Sequence, residues 1–246
     1  VTVHRGYGIP AFASGPQTLV VCISHFGNSE EVLDAFEAAQ KNKCSLLVIS
    51  TGGELAKRAA EKNIPAWIFD NNGVVDTAAI AYPFALLLAL ISRLGLIPDP
   101  AADVAEAIAM MKRSQQHITA DVIAAKNPAK RYAGQLVGRW VTFVGTETLA
   151  PVARRWKTQF NENTKTMAVW DELPEADHNT IVGYPQPEFT KDHQLHLFLA
   201  GASDHPRNTL RAELAGELLE EAHIGFEHVR LPGETRLDQV LVGIIL

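Results

Sequence analysis

Residues 19–50, LVVCISHFGNSEEVLDAFEAAQKNKCSLLVIS, decide the fold. The stretch opens on an apolar, β-branched run from Leu19 to Ser24 and passes through a loop of small and polar residues. It then runs as a helix from Glu30 to Lys41 and ends on a second β-branched run, Leu46 to Ser50. The same rhythm extends outward: Val1 to His4 (VTVH) and Ala66 to Phe69 (AWIF) read as further strands, and Glu54 to Asn63 as a second helix. Such alternation argues for an α/β fold, a parallel sheet with helices on both faces. Right-handed crossovers then line up the loops that follow the strands along one sheet edge. That edge is where open α/β sheets bind ligands.

The chain has 246 residues, enough for two modest α/β units or one large one. Its 47% hydrophobic and 20% charged content is that of an ordinary globular protein, and a net charge of −6 is carried by interspersed acids and bases. Nothing here forms a nucleic-acid track or a polybasic membrane patch. Cys22 lies in an apolar strand and Cys44 just before another, without C-x-x-C spacing, so both read as buried thiols of a reducing, cytoplasmic compartment. The most apolar run, Ala78 to Ile91, contains Pro83 and falls short of the roughly 20 residues a bilayer requires. It reads as a buried helix. The sequence shows neither a signal peptide nor an initiating methionine.

Prolines and acids in Leu96-IPDPAAD mark a domain boundary. A helix from Asp103 to about Ala125 follows, with Val104, Ile108, Met111, Ile118 and Val122 at helical spacing, and Asn127-PAKRYA ends it. Trp140-VTFVG then starts a second unit, with strands at Gln194-LHLFLA and Gly225-FEHVRL separated by a helix from Pro206 to His223. The organisation expected is an N-terminal domain over residues 1–99, a connecting helix over 100–127 and a C-terminal domain over 128–246.

Polar chemistry is densest from Lys157 to Asn179, KTQFNENTKTMAVWDELPEADHN. The preceding apolar positions Leu149, Val152, Ala153, Trp156 and Phe160 have helical spacing, which puts Glu162 at a helix C-terminus with Asn163 as the stop. A carboxylate gains nothing as a cap there, so Glu162 is either a solvated acid paired with Lys165 or a functional base. Pro174, Glu175 and Asp177 mark a helix start around His178, itself either a surface residue or an acid–base group. Ser24-HFGNSEE, leading into a helix, offers hydroxyls and amides to a phosphate, and it reads equally as plain helix capping. Ser50-TGG reads either as a second binding loop, with Thr51, Gly52 and Gly53 allowing close backbone approach, or as a simple strand-to-helix turn. His193, His196, His205, His223 and His228 lack metal-ligand spacing, and no dinucleotide or hydrolase motif is present. Neither a metal nor another cofactor is indicated.

The words Arg5-GYGIP, Ile23-SHFGNSEE, Ser50-TGGELA, Lys157-TQFNENTK and Leu173-PEADHN, in this order and spacing, resemble the archaeal-type bifunctional phosphoglucose/phosphomannose isomerases. These are two-domain members of the sugar isomerase (SIS) superfamily. The resemblance implies two SIS-type units, each a flavodoxin-like three-layer sandwich. It also implies interconversion of glucose 6-phosphate, or mannose 6-phosphate, with fructose 6-phosphate through a cis-enediol. Glu162 stands where the family has its proton-moving base, and His178 where it has the histidine that assists ring opening, supplied across a homodimer interface. Ser24, Gly27, Asn28 and Ser29 match the family's phosphate loop, with Phe26 in place of its second serine. Thr51, Gly52 and Gly53 match its second loop, and the amides of Gln159, Asn161 and Asn163, beside the base, are candidates to bind substrate and meet the enediolate charge. Thr77 falls where the family tends to carry a phosphate-binding arginine. Relatives also have a strand with a G-M-G-G-S loop before the residue corresponding to Val1, and a helix bearing a lysine beyond Leu246, so the resemblance implies further portions of the polypeptide. The alternative is a non-catalytic SIS module that binds a sugar phosphate as a regulatory signal. Glu162 with His178 separates the two, because a pure binder needs no base. A domain with only a structural role fits neither the phosphate loop nor the amide-rich segment.

Overall fold

The computed structural model describes residues 1–70, 72–74 and 78–246, and the chain divides into two compact units, Val1–Pro98 and Asp99–Leu246. In the first unit β1 (Leu19–Ile23), α1 (Glu30–Lys41), β2 (Ser45–Ser50), α2 (Gly53–Glu61) and β3 (Ala66–Ile68) follow one another, and α3 (Ala81–Arg93) comes after them. The strands form a parallel sheet in the order β1-β2-β3, with Leu19 opposite Ser45 and Val48 opposite Ala66. Because the order advances in one direction, right-handed crossovers put α1 and α2 on the same face. Phe36 and Ala39 of α1 and Leu55 and Ala59 of α2 do share one core with Cys22, Leu46 and Val48. The helices on both faces expected from the alternation are therefore not what these two crossovers provide.

Three expectations for the first unit are corrected. Val1 to His4 form no strand; Val1 and Val3 are exposed and pair with nothing, so β-branching alone does not make a ladder. The second helix ends at Glu61, and Asn63 instead takes a positive φ of 52° that closes it. The apolar run becomes α3, with Pro83 in its first turn where the missing N–H costs nothing, but none of its side chains is fully buried.

The second unit holds α4 (Ala101–Gln115), α5 (Pro128–Leu136), β4 (Trp140–Thr146), α6 (Ala150–Thr164), β5 (Ala168–Leu173), β6 (Gln194–Ala200), α7 (Pro206–Glu221), β7 (Gly225–Arg230) and α8 (Arg236–Ile245). Its sheet is all parallel in the order β5-β4-β6-β7, with Thr142 opposite both Val169 and His196. The chain moves one way from β4 to β5 through α6 and the other way from β6 to β7 through α7, so right-handed crossovers put α6 and α7 on opposite faces. Side-chain alternation agrees: Phe143 and Leu197 join Val152, Ala153 and Trp156 on one side, and Val144 and Phe198 join Ala212, Ala215 and Leu219 on the other. Each fully buried leucine in these layers contributes about 2 kcal/mol. Trp156 adds a polar anchor, its indole Nε1 donating to the Gly243 carbonyl of α8 at 2.6 Å.

β5 was not among the expected strands, and the helix expected from Asp103 to Ala125 stops at Gln115. Beyond it the chain turns, held where Asn127 Nδ2 donates to Thr119 O (3.1 Å) and Lys130 Nζ to Ala120 O (2.6 Å) and Val122 O (2.8 Å). Asn127 follows a 3₁₀ turn, Ala124–Lys126, and starts a helix, its side chain accepting from Lys130 N at 3.1 Å with Pro128 in the first position of α5. Around His178 the expected helix is a pair of 3₁₀ turns, Glu175–His178 and Thr180–Gly183, broken at Asn179 with φ −145° and ψ −61°.

Candidate active site

The loops after β1 and β2 are laced into one surface. Thr51 donates twice to the His25 carbonyl, from its N at 2.9 Å and its Oγ1 at 2.7 Å. Leu55 N donates to Gly27 O at 2.9 Å, and Glu54 N to Asn28 Oδ1 at 3.0 Å. The approach is possible because of two glycines: a Cβ on Gly53 would stand 2.1 Å from Phe26 O, and Gly27 is as tight. Both have φ near 70°, the left-handed region that glycine alone enters without cost.

Within this surface Ser24, 5% exposed, and Ser29 point their hydroxyls at each other, Oγ to Oγ 3.1 Å. Ser29 is the residue before α1, yet its side chain makes no capping bond to the first turn of that helix. A helix capped by its own serine would have used that hydroxyl. The pair is instead poised to offer hydroxyls to an anion at the positive end of α1, although Glu30 and Glu31 already place negative charge in that turn. Gly52 precedes α2 and has no side chain to cap it, and the Asn28 amide oxygen takes that place by accepting from Glu54 N. Phe26 is half exposed and meets the His25 ring edge-on at 4.6 Å, so it occupies solvent-facing space with no donor. The His25 ring nitrogens are buried and unpartnered, a feature that the sequence reading passed over. Thr77, weighed above as the site of a missing arginine, lies outside the described residues.

In the second unit Glu162 occupies the last turn of α6 with its side chain exposed. The helix stop is Lys165, at φ 58°, rather than Asn163. Lys165 does not pair with the Glu162 carboxylate; its ammonium donates to the Glu162 backbone carbonyl, the interaction favoured at a helix C-terminus. The neighbouring amides lace the helix end: Asn161 Nδ2 donates to Thr166 O at 2.8 Å and Asn163 Nδ2 to Gln159 Oε1 at 3.1 Å. Burial pulls the Arg155 guanidinium pKa down, and the Glu162 charge acts against that pull. Gln159 also borders an apolar hollow of about 750 Å³ between α5, α6 and the end of α8.

His178 ends its 3₁₀ turn as an exposed side chain, whereas the residues beside it are held. Ala176 is 2% exposed in the core beneath α7, and Asp177 Oδ2 accepts from Arg211 Nη1 of α7 at 2.8 Å. Glu162 precedes β5 and His178 follows it, so the two stand at opposite ends of a strand whose five steps of ~3.3 Å span roughly 17 Å. One copy of this unit does not bring them together.

Three of the remaining histidines serve the fold. His205 Nδ1 accepts from Arg207 N at 3.1 Å and caps α7, His223 closes that helix at φ 60°, and His196 is 1% exposed in the core. Among the described residues no three His, Cys, Asp or Glu side chains converge on a point that could hold a metal, and no helix is long and apolar enough to cross a membrane.

Three comparisons bear on the family and the fold. Residues 125–246 match the model of the bacterial phospho-glucose isomerase C-terminal SIS domain. The fold is also that of a glucose-6-phosphate isomerase like protein from Thermus thermophilus, with a TM-score of 0.66 at 18% identity over 97% of this chain and 76% of that one. The bifunctional phosphoglucose/phosphomannose isomerase of Aquifex aeolicus is 28% identical over 94% of this chain and 70% of its own length. That of Caldicellulosiruptor bescii is 33% identical over all of this chain and 72% of its own. With such identity along its whole length, the chain belongs to the bifunctional phosphoglucose/phosphomannose isomerase family.

Proposed function

We propose that this protein interconverts an aldose 6-phosphate, glucose or mannose 6-phosphate, with fructose 6-phosphate. The observation that carries the reading is the whole-chain relationship to isomerases, and the exposed positions of Glu162 and His178 support it. Both units are taken as SIS-type, the first by its β-α-β-α-β order with paired loops after β1 and β2. The N-terminal domain is residues 1–99 and the C-terminal domain 128–246. Ser24 and Ser29, with the backbone of Gly27, Asn28, Thr51, Gly52 and Gly53, hold the phosphate. His178 moves a proton to or from the ring oxygen as the sugar opens. Glu162 takes the C2 proton of the open-chain aldose and the C–H electrons form the C1–C2 double bond as O1 gains a proton to give the enediol; the same carboxyl then returns the proton to C1 as the O2 hydroxyl gives up its own to become the ketose carbonyl. The reverse direction runs through the same intermediate. Gln159 and Asn161 fix the helix end that carries the base.

The separation of Glu162 from His178 along β5 supports a homodimer in which one chain contributes the base and its partner the histidine. A regulatory sugar-phosphate binder draws support from Phe26, which supplies no phosphate donor, and from Thr77 in place of an arginine, but it leaves an exposed carboxylate at Glu162 without a task. The test is a coupled assay for fructose 6-phosphate formed from glucose 6-phosphate and from mannose 6-phosphate. Binding of both sugars without turnover would favour the regulatory reading.

A further inference from the structure

The turn that presents His178 is tied to α7 by a single ion pair, and we propose that this pair, Asp177 with Arg211, is the positioning element for His178. The inference rests on the role given to His178 above. A 3₁₀ turn has three residues per revolution, so consecutive side chains leave it about 120° apart. Ala176 takes the direction into the core, Asp177 the direction toward α7, and His178 the remaining one, outward. Fixing the first two therefore fixes the third.

The pair is suited to that task. Arg211 Nη1 meets Asp177 Oδ2 at 2.8 Å, with the Asp177 side chain 17% exposed and that of Arg211 37%. The second Asp177 oxygen, Oδ1, is buried with no hydrogen-bond partner among the described residues, and of these Arg211 is the one cation that pairs with this largely enclosed carboxylate. Without it the carboxylate would be drawn toward water, and the turn would rotate with it. On the far side of His178, Asn179 Nδ2 donates to Glu175 Oε1 at 3.0 Å and Thr180 Oγ1 to Asn179 Oδ1 at 2.7 Å. The histidine thus stands free between clamped neighbours, as a group must if it is to reach a substrate or a second chain without searching rotations of its own backbone. Arg211 lies thirty-four positions from Asp177 and touches nothing on the substrate side in this scheme; it acts through the turn.

The experiment is a double-mutant cycle on turnover of glucose 6-phosphate by the purified protein. Arg211→Met is expected to lower kcat roughly 10-fold, the scale of a misplaced reacting group, while KM changes less than about twofold. Arg211→Lys, which keeps the charge, should recover part of the loss. In a His178→Ala background, Arg211→Met should cost nothing further, because its effect passes through His178. Full additivity of the two losses would overturn the positioning role and leave a structural pair. If His178→Ala alone left kcat unchanged, the role of the histidine itself would fall. Asp177→Asn, which keeps shape and one acceptor, replaces Arg211→Met should the latter fail to fold, with the same reading of additivity.

Discussion

Gly27 and Gly52 meet backbone to backbone: a Cβ built on Gly27 would lie 1.9 Å from the Gly52 carbonyl oxygen. This contact joins the loop after β1 to the loop after β2, and a side chain on Gly27 would force them apart. Gly27→Ala adds about 1–2 kcal/mol for alanine in the left-handed region to about 1–3 kcal/mol for the clash. Thermal unfolding should show the first unit destabilised by several degrees, and glucose 6-phosphate should no longer protect it. A variant with the parent's Tm and ligand protection would mean that the two loops do not depend on this contact.

The hydroxyls of Ser24 and Ser29 face each other at 3.1 Å, while Phe26 brings no donor to the same loop. Ser29→Ala should weaken glucose 6-phosphate binding by about 1.5 kcal/mol, near tenfold, the value of a hydrogen bond to a charged group. Phe26→Ser should strengthen it by a comparable factor by restoring a hydroxyl. Calorimetric titration distinguishes the two, and an unchanged Kd in both variants would remove the phosphate from this loop.

His196 makes acid stability of the second unit predictable in sign. Gln194 Nε2 donates to Tyr184 O at 3.0 Å and Thr190 Oγ1 at 2.6 Å, so its Oε1 is the acceptor for His196 Nε2–H at 3.0 Å. That leaves His196 Nδ1 unprotonated, buried and unpartnered, and burial pulls the pKa down to about 4. The unfolded chain, with an ordinary value near 6.5, binds the proton first as pH falls. Stability is therefore full above about pH 6.5 and lost toward pH 4, by up to about 3 kcal/mol. Burial lowers the His228 pKa as well and acts in the same direction. Denaturant unfolding between pH 7.5 and 4.5 should show this slope, and His196→Gln should flatten it; equal slopes in the two proteins would contradict the assignment.

Much of this architecture was legible because its strands are strongly marked. Residues 46–50 of β2 are buried in unbroken succession, and an apolar β-branched run between helices has few other readings. β5 escaped notice because it is an edge strand, with Asp171 and Glu172 in a half-buried ladder, inside a segment whose polarity suggested binding. Val1 to His4 misled for the opposite reason, since their composition favours a strand that tertiary pairing does not supply. At the site, the paired loops could be read from their place after strands. The Asp177–Arg211 pair could not, because neither residue carries a local pattern and only the packing of α7 brings them together.

The final prediction concerns which chain supplies which proton. Glu162→Gln keeps the shape of the side chain but cannot accept a proton from carbon, so kcat should fall by several orders of magnitude while sugar-phosphate binding is retained. His178→Ala should lower kcat for the cyclic sugar as well. If both groups of one site came from one chain, mixing the two variants would restore nothing. In the proposed homodimer, with the two groups at opposite ends of β5, each chain would supply one group to each of two sites. In a hybrid dimer of Glu162→Gln with His178→Ala, one site then combines both lesions and the other is intact. Random assortment by co-refolding gives hybrids as half of all dimers, each with one of two sites working, so activity should recover to about a quarter of the parent's. Exchange of solvent deuterium into C1 and C2 of the cyclic sugar should rise with it, since only the hybrid's intact site has both the ring-opening group and the base. Absence of recovery, with hybrids demonstrated by mass spectrometry, would place both groups in one chain and overturn the shared site.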